Sequence, residues 1–87
     1  MFIGRVKGSL WATRKDEKLN GLKFLVVELD EYNGPQHSLV AADNTGAGLD
    51  DLVLVSTGSA ARMSLENPEI PVDAVIVGII DSVEIDE

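Results

Sequence analysis

The chain has 87 residues and no cysteine, which allows one domain, residues 1–87, and excludes a disulfide scaffold or a thiolate metal site. Its formal net charge is −8, and the phosphate backbone rewards basic surfaces, so nucleic-acid binding is disfavoured. No apolar run approaches the ~20 residues of a membrane-spanning helix, and Met1-Phe2-Ile3 leads straight into a strand pattern, so a soluble, intracellular domain is expected.

In chain order, FIGRVKGSLWAT (2–13) alternates strictly. Phe2, Gly4, Val6, Gly8, Leu10 and Ala12 share one face, and Arg5, Lys7, Ser9 and Thr13 the other. Glycines on the inner face predict a tightly bent strand, as at a barrel corner. A charged loop, RKDEKLNG (14–21), closes on the turn pair Asn20-Gly21. LKFLVVELD (22–30) is a second strand, apolar on both faces, with Leu22, Phe24 and Val26 opposed to Leu25, Val27 and Leu29. EYNGPQ (31–36) reads as a turn, HSLVAAD (37–43) as a third strand, NTGAGLDD (44–51) as a glycine loop and LVLVS (52–56) as a fourth strand. In TGSAARMSLEN (57–67), Ser59 is placed to cap a helix of one or two turns, stopped by Pro68. PVDAVIVGIIDSVEI (71–85) closes the series, with Val75, Val77 and Ile79 on one face and Ala74, Ile76 and Ile80 on the other.

Five short strands, close turns and one small helix predict an all-β fold, a small closed or nearly closed barrel. A strand apolar on both faces is covered on both sides. One short helix cannot cover two such strands, so further copies of the chain are expected to contribute. The charge is polarised as well: residues 1–27 carry a net +4, and residues 28–87 a net −12 with Arg62 the lone cation. Such a chain could pack head to tail into a ring, or the charges could simply follow solvent; both readings stand.

Catalytic patterns are missing. His37 is the only histidine, which excludes a histidine metal cluster within one chain. Asp50-Asp51 and Asp16-Glu17 are adjacent, and neighbouring side chains on a strand point to opposite sides. Gly58-Ser59-Ala60 lacks the trailing glycine of a nucleophile elbow. Gly46-Ala47-Gly48 lacks the Lys-Ser/Thr pair of a phosphate cradle and reads as a turn that needs positive φ or a close backbone approach. The four aromatics are too dispersed for a base-stacking platform. Trp11, on the face of Arg5 and Lys7, is either a contact with a neighbouring subunit or ordinary edge packing.

Three segments, GRVKGSLWATRKDEKLNGLKFLVV, LVAADNTGAGLDDLVLVSTGSAAR and PVDAVIVGIIDSV, together resemble the pentameric vertex proteins of bacterial microcompartment shells. That family occurs in carboxysomes and in ethanolamine- and propanediol-utilisation compartments. The resemblance implies a five-stranded barrel related to the oligonucleotide/oligosaccharide-binding (OB) fold, with one short helix. Five copies would form a truncated pyramid at the five-fold corners of a shell in the cytoplasm. It implies no catalysis, cofactor or metal, and as partners other copies of the chain and hexameric shell proteins, without nucleic acid or membrane. It places Gly46, Ala47, Gly48, Gly58, Ser59, Ala60 and Arg62 at subunit contacts or around a central opening, with Ile76, Ile80 and Asp81 on the same surfaces and Asp81 a candidate partner for Arg62. Thr13, Arg14 and Lys15 would meet hexamers. Members often carry glycine where this chain has Asp50, and the ending at Glu87 leans toward a non-carboxysome compartment. The competing readings are a monomeric OB-type binding module and a small-molecule enzyme.

Overall fold

Alternation in the first segment does place one face inward. A computed structural model of the chain describes residues 1–11, 17–19, 21–29, 37–65 and 70–83. In β1 (Phe2–Leu10), Gly4 and Val6 are buried while Arg5 and Lys7 face solvent. Against β2 (Lys23–Leu29), Val6 stands opposite Val27 but Gly8 stands opposite Val26. Lys7 is therefore an extra residue in β1, a bulge that breaks the period-2 pattern. Leu10, which strict alternation puts inside, is consequently 46% exposed.

The remaining strands are β3 (Ser38–Asp43), β4 (Leu52–Thr57) and β5 (Ala74–Ile79). They close in the order β1-β2-β3-β5-β4, with β4 returning to β1. Every pairing is antiparallel except β3 with β5, which run parallel through Ala42 opposite Val75 and Asp43 opposite Ile76. The expected five-stranded barrel with one short helix is thus the fold. Its interior holds Val6, Leu25, Val27, Leu29, Ala41, Val53, Val55 and Ile76, all essentially excluded from solvent.

The second apolar face of β2 and β5 finds part of its cover inside the chain. The helix α1 (Ser59–Met63) buries Ala61 with Ala42, Val72 and Val75 on the outside of the barrel. Leu19, Leu22, Phe24, Leu65 and Ile70 pack around this cluster. The expectation that neighbours must supply this cover is therefore corrected for Leu22, Phe24 and Val75. The helix does not act alone; the chain on either side of it brings Leu65, Ile70 and Val72. Elsewhere the outer surface stays apolar and open, as at Val40 and Val77.

Ser59 does not cap the helix. The N-cap is Gly58, at φ 68°, with no side-chain cap, and its amide donates to the Asp73 carbonyl at 2.8 Å. Glycine reaches this backbone conformation without steric cost, which leaves Ser59 as the first helical residue, exposed. At the other end Ser64 Oγ donates to the Ala61 carbonyl at 2.7 Å. The turn at 31–36 and the stop at Pro68 lie outside the described residues.

The two glycines that strict alternation puts on the inner face of β1 have different reasons. A Cβ on Gly4 would overlap Val27 Cγ1 and stand 3.0 Å from the Glu28 carbonyl oxygen, whereas a Cβ on Gly8 would meet nothing within 4 Å. We expect Gly4→Ala to lower stability by about 1–3 kcal/mol through overpacking, and Gly8→Ala to change it by less than about 0.5 kcal/mol, both read by thermal or denaturant unfolding. Ile76 is fully buried at the centre of the barrel. Ile76→Asp is expected to cost more than about 4 kcal/mol and to leave no cooperative unfolding transition, since the carboxylate would have no partner there.

Candidate assembly surface

The strand directions bring the end of β1, the starts of β2 and β4 and the ends of β3 and β5 to one mouth of the barrel. The loop 44–51 crosses this mouth. It begins with an Asx turn, in which Thr45 donates to Asp43 Oδ1 through both its amide, at 2.9 Å, and its hydroxyl, at 2.8 Å. Gly46, at φ 80°, then turns the chain so that Ala47 drops into the barrel core beside Val6 and Leu25. Lys23 Nζ donates to the Ala47 carbonyl at 3.0 Å.

The loop leaves the mouth through a tight link to β1. The Gly48 amide donates to Asp51 Oδ2 at 2.8 Å, and the Asp51 amide donates back to the Gly48 carbonyl at 3.0 Å. Val6 donates its amide to the Asp51 carbonyl at 3.0 Å and accepts from the Asp50 amide at 2.9 Å. Two residues thus oppose one, and the first, Asp50, has φ 69°. This is the bulge whose first residue is ordinarily a left-handed glycine. Asp tolerates that conformation better than most side chains. Arg5 Nη1 adds a 2.8 Å bond to the Asp50 carbonyl.

Around this link lies an open cavity of about 280 Å³, lined by Val6, Gly8, Ser9, Lys23, Leu25, Gly48 and Leu49. Leu49 at its edge is 67% exposed, and Trp11, just beyond the end of β1, is 90% exposed. Ile79, paired with Val53 at the same mouth, is 43% exposed.

The residues picked out in the sequence divide between two places. Gly46 and Gly48 belong to the loop at this mouth, while Gly58, Ser59 and Ala60 lie exposed where α1 begins, beyond the other end of β4. Ala47 and Ile76 are fully buried in the barrel core, so neither side chain offers surface to a neighbour. Ile80 is half-buried, its amide donating to the Leu52 carbonyl at 2.8 Å, and Asp81 follows it, exposed. Arg62 is half-buried and forms no ion pair with Asp81 or any other described acid. Thr13, Arg14 and Lys15 lie outside the described residues. Sequence reasoning missed Leu49, Leu10 and Ile79 as surface residues. Only the bulge and the loop geometry expose the first two.

Among the described residues no three His, Cys, Asp or Glu side chains gather in a way that could hold a metal ion, and no helix is long and apolar enough to cross a membrane. Asp43 and Asp51 each spend a carboxylate oxygen on loop donors.

Comparison with known proteins gives the surface a context. Residues 1–81 match a family model described as "Ethanolamine utilisation protein EutN/carboxysome". The carboxysome shell vertex protein CcmL of Gloeobacter violaceus is 48% identical over 89 residues, covering 99% of this chain and 88% of that protein. The microcompartment shell vertex protein GrpN of Rhodospirillum rubrum is 44% identical over 86 residues, covering 97% of each. The solved structure of the Gloeobacter CcmL superposes with a TM-score of 0.90 at 46% identity, over 99% of this chain and 91% of that one. That of GrpN, titled a pentameric microcompartment shell protein, superposes at 0.86 with 40% identity, over 99% of this chain and all of that one.

Asp50→Gly is expected to raise stability by up to about 1 kcal/mol, because glycine removes the left-handed strain, and Asp50→Val to lower it by about 1–2 kcal/mol. Urea unfolding of the two variants beside the parent protein checks the sign of both.

Proposed function

The chain belongs to the EutN/CcmL family of microcompartment shell vertex proteins, and we propose that five copies of it close into a ring that occupies the five-fold corners of such a shell. Its role is structural rather than catalytic. A layer tiled only by hexagons stays flat, and closing it into a polyhedron requires points of five-fold symmetry. The activity is therefore geometric: interfaces hold five barrels at a fixed angle, and flat neighbours meet their outer edges.

The observation that carries this reading is the amount of apolar side chain a single barrel leaves open to solvent, Leu49, Ile79, Val40 and Val77 among it, in a chain 40% identical to a protein whose structure is titled pentameric. Large apolar side chains grouped on one surface mark an interaction site. A ring of identical subunits uses two different surfaces of each, so the two separated groups of residues suit it. In this proposal the whole of residues 1–87 acts as one vertex domain. The loop around Gly46 and Gly48 and the segment Gly58, Ser59, Ala60 and Arg62 serve subunit contacts or the central opening, with Ile80 and Asp81 alongside. Thr13, Arg14 and Lys15 would meet hexameric shell proteins, with the shell in the cytoplasm and neither nucleic acid nor membrane as a partner.

Native mass spectrometry at micromolar concentration is expected to give a species five times the 9.3 kDa subunit mass. A stable monomer under those conditions would favour the single-barrel binding module instead. Arg62, half-buried and without an ion partner among the described residues of its own chain, is suited to a charge-assisted bond across the interface. Arg62→Ala should weaken assembly by about 1.5–3 kcal/mol per contact while leaving the unfolding of the isolated subunit nearly unchanged. Sedimentation at matched concentrations would separate the two effects, and equal assembly would remove Arg62 from the interface.

A further inference from the structure

We propose that the hollow beside Leu49 binds a small uncharged molecule with an acceptor oxygen at one end, a short-chain alcohol or ketone of about three to five carbons. The site is built within one chain and does not depend on how copies assemble.

Strand register makes the hollow. After the bulge at Lys7, Ser9 stands opposite Leu25, whose side chain lies in the core, so Ser9 turns inward too. Lys23, two residues before Leu25 in β2, shares that inner face. Gly48 and Leu49 of the loop close the far side, over an apolar floor of Val6 and Leu25. The walls are preformed, because the Asp51 carboxylate holds the Gly48 amide and Lys23 holds the Ala47 carbonyl. Little ordering is therefore left for a ligand to impose. The volume of about 280 Å³ lies at the small end of ligand pockets, which run from roughly 300 to 1,000 Å³. A molecule of a few carbons fits; a nucleotide or a peptide does not.

Two donors border this space. The Lys23 ammonium has three N–H groups and gives one to the Ala47 carbonyl, while the Ser9 hydroxyl has no hydrogen bond to any described residue. One oxygen entering the hollow can accept from both. Charge then decides between an anion and a neutral ligand. Asp43 stands opposite Lys23 in the β2–β3 register, and the Asp51 carboxylate lies against Gly48 in the wall. Two carboxylates beside one ammonium leave no excess of positive charge, so an anionic ligand would lose its hydration without a matching gain. A short aliphatic tail instead displaces water from Val6, Leu25 and the open side of Leu49.

Methyl-labelled protein, in whatever assembly it forms, locates the ligand by nuclear magnetic resonance. Titration with 1-butanol is expected to move the Val6, Leu25 and Leu49 methyl signals along one saturating curve, half-complete at about 1–100 mM. Val40 and Val77, open on the outside of the barrel, should stay in place. Butyrate, with the same chain length and a charge, should need at least ~10-fold higher concentration. Ser9→Leu fills the hollow and removes a donor, so it should keep its far-UV circular dichroism and lose the saturating shifts. Shifts that rise linearly with butanol, or that appear equally at Val40 and Val77, overturn the site. Unchanged binding by a folded Ser9→Leu does so too, and butyrate binding as tightly as butanol overturns the uncharged class. If Ser9→Leu does not fold, the shift map of the parent protein decides alone.

Discussion

The two hydrogen bonds between Val6 and the Asp50-Asp51 pair set the geometry of the loop mouth of this barrel. They join β1 to the loop just before β4, with two residues opposing one. A regular ladder at this point would carry the loop straight off the barrel. The bulge instead folds it back, drops Ala47 into the core and leaves Leu49 outside. One residue further along β1 a second bulge, at Lys7, shifts the register and brings Leu10 into solvent. Two local departures from regular pairing thus decide which apolar side chains at this end stay outside.

The rest of the barrel supports that end at little cost in polar groups. No buried side-chain nitrogen or oxygen among the described residues lacks a partner, and the interior is almost wholly aliphatic. Gly4 lets β1 approach Val27 and Glu28 more closely than any residue with a Cβ could. On the opposite flank the small cluster around Ala61 covers part of the outside of β2, β3 and β5 with the chain's own helix. Met63, Val40 and Val77 nevertheless stay exposed, so apolar surface remains open on this side as well as at the loop mouth, which suits a family whose members build shells.

How much of this was legible in the residues can be judged element by element. Alternation and glycine placement located all five strands and the helix, because period-2 and turn signals are local, although the last strand, read over 71–85, is Ala74–Ile79. The match of three segments in order identified the family, and Trp11 was legible as a residue in need of an explanation. The cap at Gly58 rather than Ser59 was not legible, since serine is the commoner cap and only the backbone angle shows that glycine was required. Ala47 and Ile76 were placed on a contact surface because small or apolar residues in a family motif invite that reading. Burial alone shows that they fill the core.

The sequence by itself determined the fold class, the apolar inventory and the kinship, all of which depend on residue type and spacing along the chain. Only the tertiary structure decided which apolar residues remain outside. That choice depends on strand register, and a single extra residue at Lys7 or a left-handed Asp50 reverses a side chain's destination without changing the pattern of residue types. The same holds for the cavity beside Leu49, assembled from β1, β2 and the loop, which are far apart in the chain and meet only when the barrel closes.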